Sequence, residues 1–195
     1  FIKLRKEFFP QIKIKVGPAL YFQEIFNKFE KKDNIKILLI LSGIYSLDSK
    51  LIDWIYFFLN TNSYVKLTIK PHPILPMDKI KNYNLNKFHN RIKISKKKLS
   101  LLLKSTKTAV CCGPTSGSLE AIAYGCYLIS PVLEPYDEVN FELFNIPKKN
   151  YKLVYDKREL SKEINKILMK KTKFIKKNTN FFQKINNKNI NFFIK

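Results

Sequence analysis

Two short stretches hold the residues whose types and spacing suit chemistry on a phosphate group. In the first, His72 stands between Pro71 and Pro73, shortly after a predicted strand. The two prolines restrict the flanking backbone, so the imidazole is presented in a defined direction. A histidine beside phosphate oxygens can donate a hydrogen bond and stabilise a leaving phosphate. Lys70 either adds positive charge to this site or is a solvated strand end.

The second stretch runs from Thr108 to Gly125 and begins with an apolar run that predicts a buried strand, Ala109–Cys112. Gly113-Pro114 ends this strand, because glycine permits a turn and proline lacks an amide donor. Three small hydroxyls follow, and then apolar residues at helical spacing: Thr115, Ser116 and Ser118 precede Leu119, Ile122 and Ala123. A strand, a polar turn and a helix start together offer backbone N–H groups and a positive dipole end to an anion. One hydroxyl suffices to cap a helix; three favour a phosphate site.

Other catalytic arrangements find little support in the sequence. It has no Walker loop, no G-x-G-x-x-G, no nucleophile elbow and no carboxylate pair. Ser116 is a poor candidate nucleophile, because His72 is the only histidine in a suitable setting and no acid can be assigned to it. No Asp-x-Asp is present to hold a divalent cation against a diphosphate. We therefore expect no metal and no cofactor, with positive charge supplied by Lys70, His72 and the helix dipole.

The elements around these stretches alternate between strand and helix at least five times. Ile35–Leu41 is a near-continuous apolar run, typical of a central parallel strand buried on both faces. The alternation predicts an α/β fold with a doubly wound, mostly parallel sheet and helices on both faces. Ligands bind beyond the carboxyl ends of the strands in such sheets. The candidate polar residues Ser42, His72, Thr115, Ser116 and Glu134 all follow predicted strands.

The pattern also predicts the bounds of the remaining elements. Strands are expected at Gln11–Val16, Tyr64–Ile69, Arg91–Ser95, Tyr127–Ser130 and Tyr151–Tyr155. Helices are expected at Ala19–Phe29, around Leu47–Leu59, from Asp78, and at Lys98–Lys104, Ser116–Tyr124, Asp137–Phe144 and Arg158–Met169. Glu134 and Asp137 either contact a ligand or form an acid pair at a helix start. This organisation gives a linker or remnant of a preceding domain (1–29), a ligand-binding α/β domain (30–169) and a basic tail (170–195).

The formal charge of +22 indicates an anionic partner, but only three of the 37 basic residues are arginine. Arginine is the favoured base reader and bidentate phosphate clamp, so specific nucleic-acid recognition is disfavoured. The tail is rich in Lys, Asn and Phe and either lies on an anionic membrane or is a solvated end. No apolar run has the length needed to cross a bilayer. The chain starts with Phe1 rather than Met, which we interpret as a fragment or a processed piece.

The three cysteines do not indicate a disulfide or a metal site. Cys111 and Cys112 are adjacent, which disfavours an ordinary disulfide between them, and no Cys-x-x-Cys or Cys/His spacing is present. Together with Cys126 they are interpreted as small buried apolar residues in a reducing compartment.

Taken together, the two motifs resemble those of a known group of enzymes. Lys70-Pro71-His72-Pro73 and the stretch from Gly113 to Gly125 look like the carboxyl-terminal, donor-binding half of GT-B glycosyltransferases that build bacterial surface polysaccharides. Bacterial sialyl-, polysialyl- and Kdo-transferases and CDP-glycerol glycerophosphotransferases show such an HP motif, followed two strands later by a Ser/Thr-rich helix start. The resemblance covers about Ile35 to Leu160. It implies that His72, Thr115, Ser116 and Ser118 hold the donor phosphate and that Ser42 lines the same cleft.

The resemblance also has a departure, since these enzymes carry a second Rossmann-like domain for the acceptor. The resemblance implies that an amino-terminal acceptor-binding domain is a partner of this chain. It also implies that the ligand is a nucleotide-sugar donor and that His72 is the catalytic group. The expected location is the cytoplasm, with possible peripheral contact on the inner face of the membrane. The alternative is a non-catalytic basic α/β module that binds membranes or anionic polymer. Binding by such a module should collapse at high salt, whereas a shaped nucleotide site should lose much less.

Overall fold

The computed structural model describes residues 20–27, 35–80, 88–113, 115–134 and 146–169. Six strands form one sheet in the order β3-β2-β1-β4-β5-β6, and every neighbouring pair is parallel. The strands are β1 (Ile35–Ile40), β2 (Leu67–Lys70), β3 (Ile92–Ile94), β4 (Thr106–Val110), β5 (Tyr127–Pro131) and β6 (Tyr151–Val154). The chain moves outward from β1 to one edge and then returns through β4 to the other. This arrangement confirms the predicted doubly wound α/β fold, with its switch point between β1 and β4.

Helices lie on both faces of the sheet. They are α1 (Tyr45–Thr61), α2 (Leu99–Leu103), α3 (Ser116–Ala123) and α4 (Lys157–Met169), with 3₁₀ turns at Leu20–Phe26, Met77–Lys79 and Lys148–Asn150. Leu39 of β1 belongs to the core beneath α1 and α4, whereas Leu38 belongs to the core beneath α2 and α3. The central strand is therefore buried on both faces, as its apolar run predicts.

The observed bounds of β4 differ from the predicted ones because polar residues are buried in this strand. The strand predicted at Ala109–Cys112 instead runs from Thr106 to Val110, because Thr106 and Thr108 are buried within the sheet. Cys111 and Cys112 follow the strand as free, buried thiols. Where a helix is expected from Asp78, the described residues form a 3₁₀ turn over Met77–Lys79, and positions 81–87 lie outside the described residues. The helix expected at Ala19–Phe29 is a 3₁₀ helix over Leu20–Phe26.

Some predictions fall outside the described residues. These are the strand at Gln11–Val16, the helix at Asp137–Phe144 with Asp137 itself, and the tail 170–195. The division into linker, domain and tail therefore stays a prediction. Within the described ranges, no helix combines the length and the apolar character needed to cross a membrane.

Candidate active site

A cavity of about 520 Å³ lies at the carboxyl ends of β1, β2 and β4. It brings together residues from both motifs, although 43 positions separate His72 from Thr115 in the sequence. Five of the residues predicted for a phosphate site line it: Ser42, Lys70, His72, Thr115 and Ser116. The parallel sheet explains this gathering, because the loops after neighbouring strands meet at the same edge.

The loop after β2 holds His72 in a tight turn. The Leu75 amide donates to the His72 carbonyl at 3.2 Å, and the Ile74 amide donates to His72 Nδ1 at 3.3 Å. Because Nδ1 accepts this bond, the neutral imidazole carries its proton on Nε2. The loop thus sets the tautomer and leaves Nε2 as a hydrogen-bond donor for an anion.

The turn after β1 packs directly against this imidazole. Gly43 has a φ of 83°, and a Cβ built there would lie 2.5 Å from His72 Nδ1 and 2.7 Å from its Cγ. Only glycine fits both the backbone conformation and the close approach.

A buried carboxylate, Asp48 of α1, ties this turn together. It accepts bonds from the Ser42 amide at 2.7 Å, the Ser42 hydroxyl at 2.8 Å and the Gly43 amide at 2.9 Å. The Ser42 hydroxyl in turn accepts from the Ile44 amide at 3.1 Å. Ser42 therefore lines the cavity with a hydroxyl that is fixed by the turn, and Asp48 acts on the site only through Ser42 and Gly43.

The start of α3 forms the facing wall of the cavity. Thr115 is the N-cap residue, and its Oγ1 accepts from the Ser118 amide at 3.3 Å. The first intrahelical bond runs from the Leu119 amide to the Thr115 carbonyl, so the amides of Ser116 and Gly117 have no intrahelical partner. Together with the helix dipole, these two amides suit a phosphate or another anion.

Ser118 occupies a different place from its predicted partners. Its side chain is fully buried, and its hydroxyl donates to the Thr115 carbonyl at 2.8 Å. It does not line the cavity. The structure thus gives Ser118 a bond within the helix start, and a direct contact with a ligand is left as a prediction from the sequence.

Glu134 lies at the carboxyl end of β5 as predicted, but outside the cavity lining. Its carboxylate is exposed and pairs with Lys50 of α1 at 3.0 Å. Any contact with a ribose or sugar would require this surface ion pair to open or the ligand to reach the rim.

The sequence analysis missed two lysines in the cavity wall. Lys96 and Lys98 lie in the loop between β3 and α2, and they line the same cavity as Lys70 and His72. The sequence did not distinguish these two lysines from the others, because lysine is abundant throughout this chain. The three ammonium groups add to the attraction that the cavity exerts on anions.

Two carboxylates, also missed, mark another part of the same cavity. Glu120 of α3 lies one helical turn after Ser116 and is almost fully buried, and Glu24 lies in the first 3₁₀ helix. Burial, with a smaller contribution from the negative charge of Glu24, raises the pKa of Glu120 from 4.5 to about 7. Burial with the charges of Glu120 and Glu24 raises the pKa of Tyr124 to about 12. A carboxyl group that titrates near neutrality can donate to or accept from a ligand hydroxyl.

A larger cavity, about 720 Å³, lies at the opposite, amino-terminal ends of β1, β2 and β3. His89 and Arg91 are among its lining residues, and none of the predicted phosphate ligands is. Doubly wound sheets bind their ligands at the carboxyl ends of the strands, where loops and helix starts converge. The smaller cavity is therefore the candidate active site, despite its size.

Comparison with known proteins places this fold among glycosyltransferases. No protein-family model matches the chain, and no curated protein matches it. Solved structures do match, and they are GT-B glycosyltransferases. A Staphylococcus aureus TarM variant in complex with fondaparinux, α-GlcNAc-glycerol and UDP aligns with a TM-score of 0.57 at 16% identity, over 86% of this chain and 36% of that one.

Two further structures give the same result. The pneumococcal O-GlcNAc transferase GtfA in complex with UDP and GlcNAc aligns with a TM-score of 0.51 at 15% identity, over 85% of this chain and 35% of that one. A GtfA/B complex aligns with a TM-score of 0.52 at 17% identity, over 81% and 33%. The chain thus spans about a third of the length of these structures. At such identities the similarity establishes the fold alone: a Rossmann-like α/β sheet that matches part of these GT-B glycosyltransferase structures.

Proposed function

We propose that this chain is the donor-binding part of a GT-B glycosyltransferase or glycerophosphotransferase of bacterial surface carbohydrate synthesis. The observation that carries the proposal is the meeting of the two motifs in one cavity at the switch point of the sheet. The ligand is a nucleotide-activated sugar or polyol. The sequence resemblance supports the surface-carbohydrate role, and the fold similarity to GT-B enzymes supports the glycosyltransferase part of the proposal.

In this proposal the donor phosphate lies between His72 and the start of α3. Nε2 of His72 donates to a phosphate oxygen, while the amides of Ser116 and Gly117 and the Thr115 and Ser116 hydroxyls bind the opposite side. Lys70, Lys96 and Lys98 attract the anion. As the bond from the transferred group to the leaving phosphate breaks, negative charge grows on that phosphate, and these fixed donors stabilise it. His72 is then the catalytic group, acting on the leaving group.

The part of the cavity that Glu24 and Glu120 line suits the hydroxyl groups of the same ligand. Glu120 faces the cavity one turn along α3 from the phosphate-binding amides. A hydroxyl of the ribose or sugar can hydrogen-bond to its carboxyl group in either protonation state. The cations and the carboxyl groups thus give the ligand a direction along α3. No metal is required by this arrangement, and donor binding should survive a chelator.

The proposal is tested by titrating the chain with CMP, CDP, UDP and GDP and measuring heat of binding and melting temperature. One of these nucleotides should raise the melting temperature, and His72→Ala should weaken its binding by about 10- to 100-fold, the usual cost of losing a hydrogen bond to a charged group. His89→Ala is the matched control, since His89 lines the cavity at the opposite end of the sheet. His72→Gln, which keeps a donor near the position of Nε2, should recover part of the affinity. Equal binding by the parent and His72→Ala would refute the assignment.

Salt separates this function from a basic module that only attracts polyanions. Nucleotide binding in a shaped cavity should decline modestly between low and high ionic strength, because hydrogen bonds to His72 and to the helix amides are less screened than exposed charges. A complete loss of binding at high salt, with no discrimination among nucleotides, would favour the module.

A further inference from the structure

The amino-terminal edge of the sheet carries four lysines in neighbouring positions. The parallel pairing of β1 with β4 places Ile35 beside Thr106 and Ile37 beside Thr108, so Lys36 lies beside Lys107. Continuing the Leu38–Thr68 register two residues back places Lys36 beside Lys66. Lys93 pairs with Thr68, two residues after Lys66, and so lies on the same face. We name this set, Lys36, Lys66, Lys93 and Lys107, the basic edge.

These lysines have no carboxylate partners in the described structure. The ion pairs formed by described residues involve Lys50, Lys152 and Lys166, and none of these belongs to the basic edge. Neighbouring parallel strands lie about 4.8 Å apart, so like charges in register repel each other. Lys36, Lys66 and Lys93 are exposed. Among the described residues, no carboxylate compensates the positive charge of the basic edge, and an external anion would stabilise this surface.

The surroundings of the basic edge are partly apolar. Lys36, Lys66 and Lys93 line the cavity of about 720 Å³, and its described lining residues include no Asp or Glu. Tyr64 and Leu168 line it too; the Tyr64 side chain is 69% exposed, and Met169, next to Leu168, is 78% exposed. Lysines beside exposed aromatic and aliphatic side chains are the pattern of surfaces that contact lipid headgroups.

The arginine in this cavity wall is engaged in contacts within the protein, which disfavours nucleic acid as the partner of this surface. The one arginine in the cavity wall, Arg91, donates to the carbonyls of Asn62 at 2.6 Å and Leu59 at 2.9 Å, so its guanidinium closes the end of α1. The chain after Met169 holds eight lysines, five phenylalanines and no Asp or Glu in its last 26 residues. That segment cannot supply the missing negative charge.

We propose that the basic edge binds the surface of a membrane rich in anionic phospholipid. Lysine ammonium groups, which are mobile point charges, suit a fluid layer of phosphate headgroups better than a rigid bidentate partner. The candidate active site lies at the opposite end of the strands, so membrane binding leaves its cavity open to solvent. The two activities use separate residues, and each can fail without the other.

The experiment measures co-sedimentation of the full chain with phosphatidylcholine vesicles that contain or lack phosphatidylglycerol. Each lysine near an anionic surface contributes about a fivefold increase in partitioning. The variant Lys36→Gln, Lys66→Gln, Lys93→Gln should therefore bind the anionic vesicles at least tenfold more weakly than the parent. The control Lys79→Gln, Lys97→Gln, Lys162→Gln loses the same charge from exposed positions outside the basic edge and should stay closer to the parent.

Further comparisons keep the proposal open to refutation. Neither triple variant should melt below the parent, because the replaced lysines are exposed. Relief of the repulsion within the basic edge should, if anything, raise the melting temperature of its variant. Replacing the same three lysines by arginine should preserve vesicle binding. Equal losses in the two glutamine variants, or equal binding to vesicles without phosphatidylglycerol, would overturn the proposal. The proposal would also be overturned if the basic-edge glutamine variant lost retention on dextran sulfate but bound anionic vesicles like the parent. The partner of the basic edge would then be a soluble polyanion.

Discussion

At the scale of single residues, the candidate site depends on one glycine as much as on its histidine. Replacing Gly43 by alanine forces an L side chain into the left-handed region, at a cost of about 1–2 kcal/mol, and places its Cβ against the imidazole of His72. We expect Gly43→Ala to lower stability and to weaken nucleotide binding as strongly as His72→Ala. Chemical denaturation and calorimetric titration measure the two effects.

Gly125 provides the matched control for this substitution. Its φ of 75° is similar, but it follows α3 at the other end of the sheet. Gly125→Ala should therefore destabilise by a similar amount and leave nucleotide affinity unchanged in the folded fraction. If Gly43→Ala binds nucleotide like Gly125→Ala, the contact between Gly43 and His72 has no role in binding.

The buried carboxyl of Glu120 predicts a pH dependence of stability. Its pKa is about 7 in the folded chain against 4.5 ordinarily, so the folded state keeps a proton that the unfolded state has released. Stability should be highest below pH 4.5 as far as this group is concerned, and should fall by up to about 3 kcal/mol as pH rises to 7. Urea denaturation of Glu120→Gln across this range should lack that decline.

Glu134→Gln is the control for this experiment, because its carboxylate is exposed and forms a surface ion pair with Lys50. It should retain the slope of the parent. A parent and a Glu120→Gln variant with identical slopes would mean that Glu120 titrates normally in the folded protein.

Residue roles were predictable from the sequence only where a rigid local frame revealed them. The prolines around His72 and the hydroxyls after Gly113 gave such frames, and the structure brings those residues together. Asp48, Glu120 and Gly43 were missed because their roles arise from contacts between elements. Asp48 resembles any acid in the first turn of a helix until the turn after β1 closes on it.

At the scale of elements, the turn from β1 to α1 is held by one carboxylate. Asp48 accepts three hydrogen bonds from Ser42 and Gly43. An asparagine there would place its NH2 group opposite at least one of these donors, and that group cannot accept the bond. Asp48→Asn should therefore lower the free energy of unfolding by about 1–3 kcal/mol, the penalty for an unsatisfied buried polar group. Equilibrium denaturation measures this loss.

Asp53→Asn, on an exposed position of the same helix, should change stability by less than about 0.5 kcal/mol. Asp48→Asn should also weaken nucleotide binding, because the turn that supports His72 loosens. Unchanged stability in Asp48→Asn would show that water replaces the three bonds at no cost.

The elements themselves were easier to predict than their ends. Apolar runs and helical spacing predicted the described strands and α1, since burial on both faces leaves a continuous signal. Their bounds shifted where Thr106 and Thr108 are buried in β4, because polar residues in a core strand resemble a loop in the sequence. The strand order follows from long-range pairing, which no local pattern records.

At the scale of the whole molecule, the sheet separates two surfaces of different chemistry. The carboxyl ends of the strands meet helix amides, a histidine and both signs of charge, whereas the amino-terminal ends present the basic edge. Complete transfer also needs a base for the acceptor hydroxyl and a surface that orders the acceptor.

We therefore predict that the 195-residue chain alone binds nucleotide but does not transfer the donor group. Among the described residues, the carboxylates in the cavity are Glu24 and Glu120, which lie on the same side as the donor-binding helix start. His72 and the α3 amides stabilise a leaving phosphate and take no proton from an acceptor. Incubating purified chain with nucleotide-sugar donors and a panel of saccharide acceptors should yield nucleotide binding without product. Adding an amino-terminal acceptor-binding domain should restore transfer, and robust transfer by the chain alone would show that these residues suffice for the complete reaction.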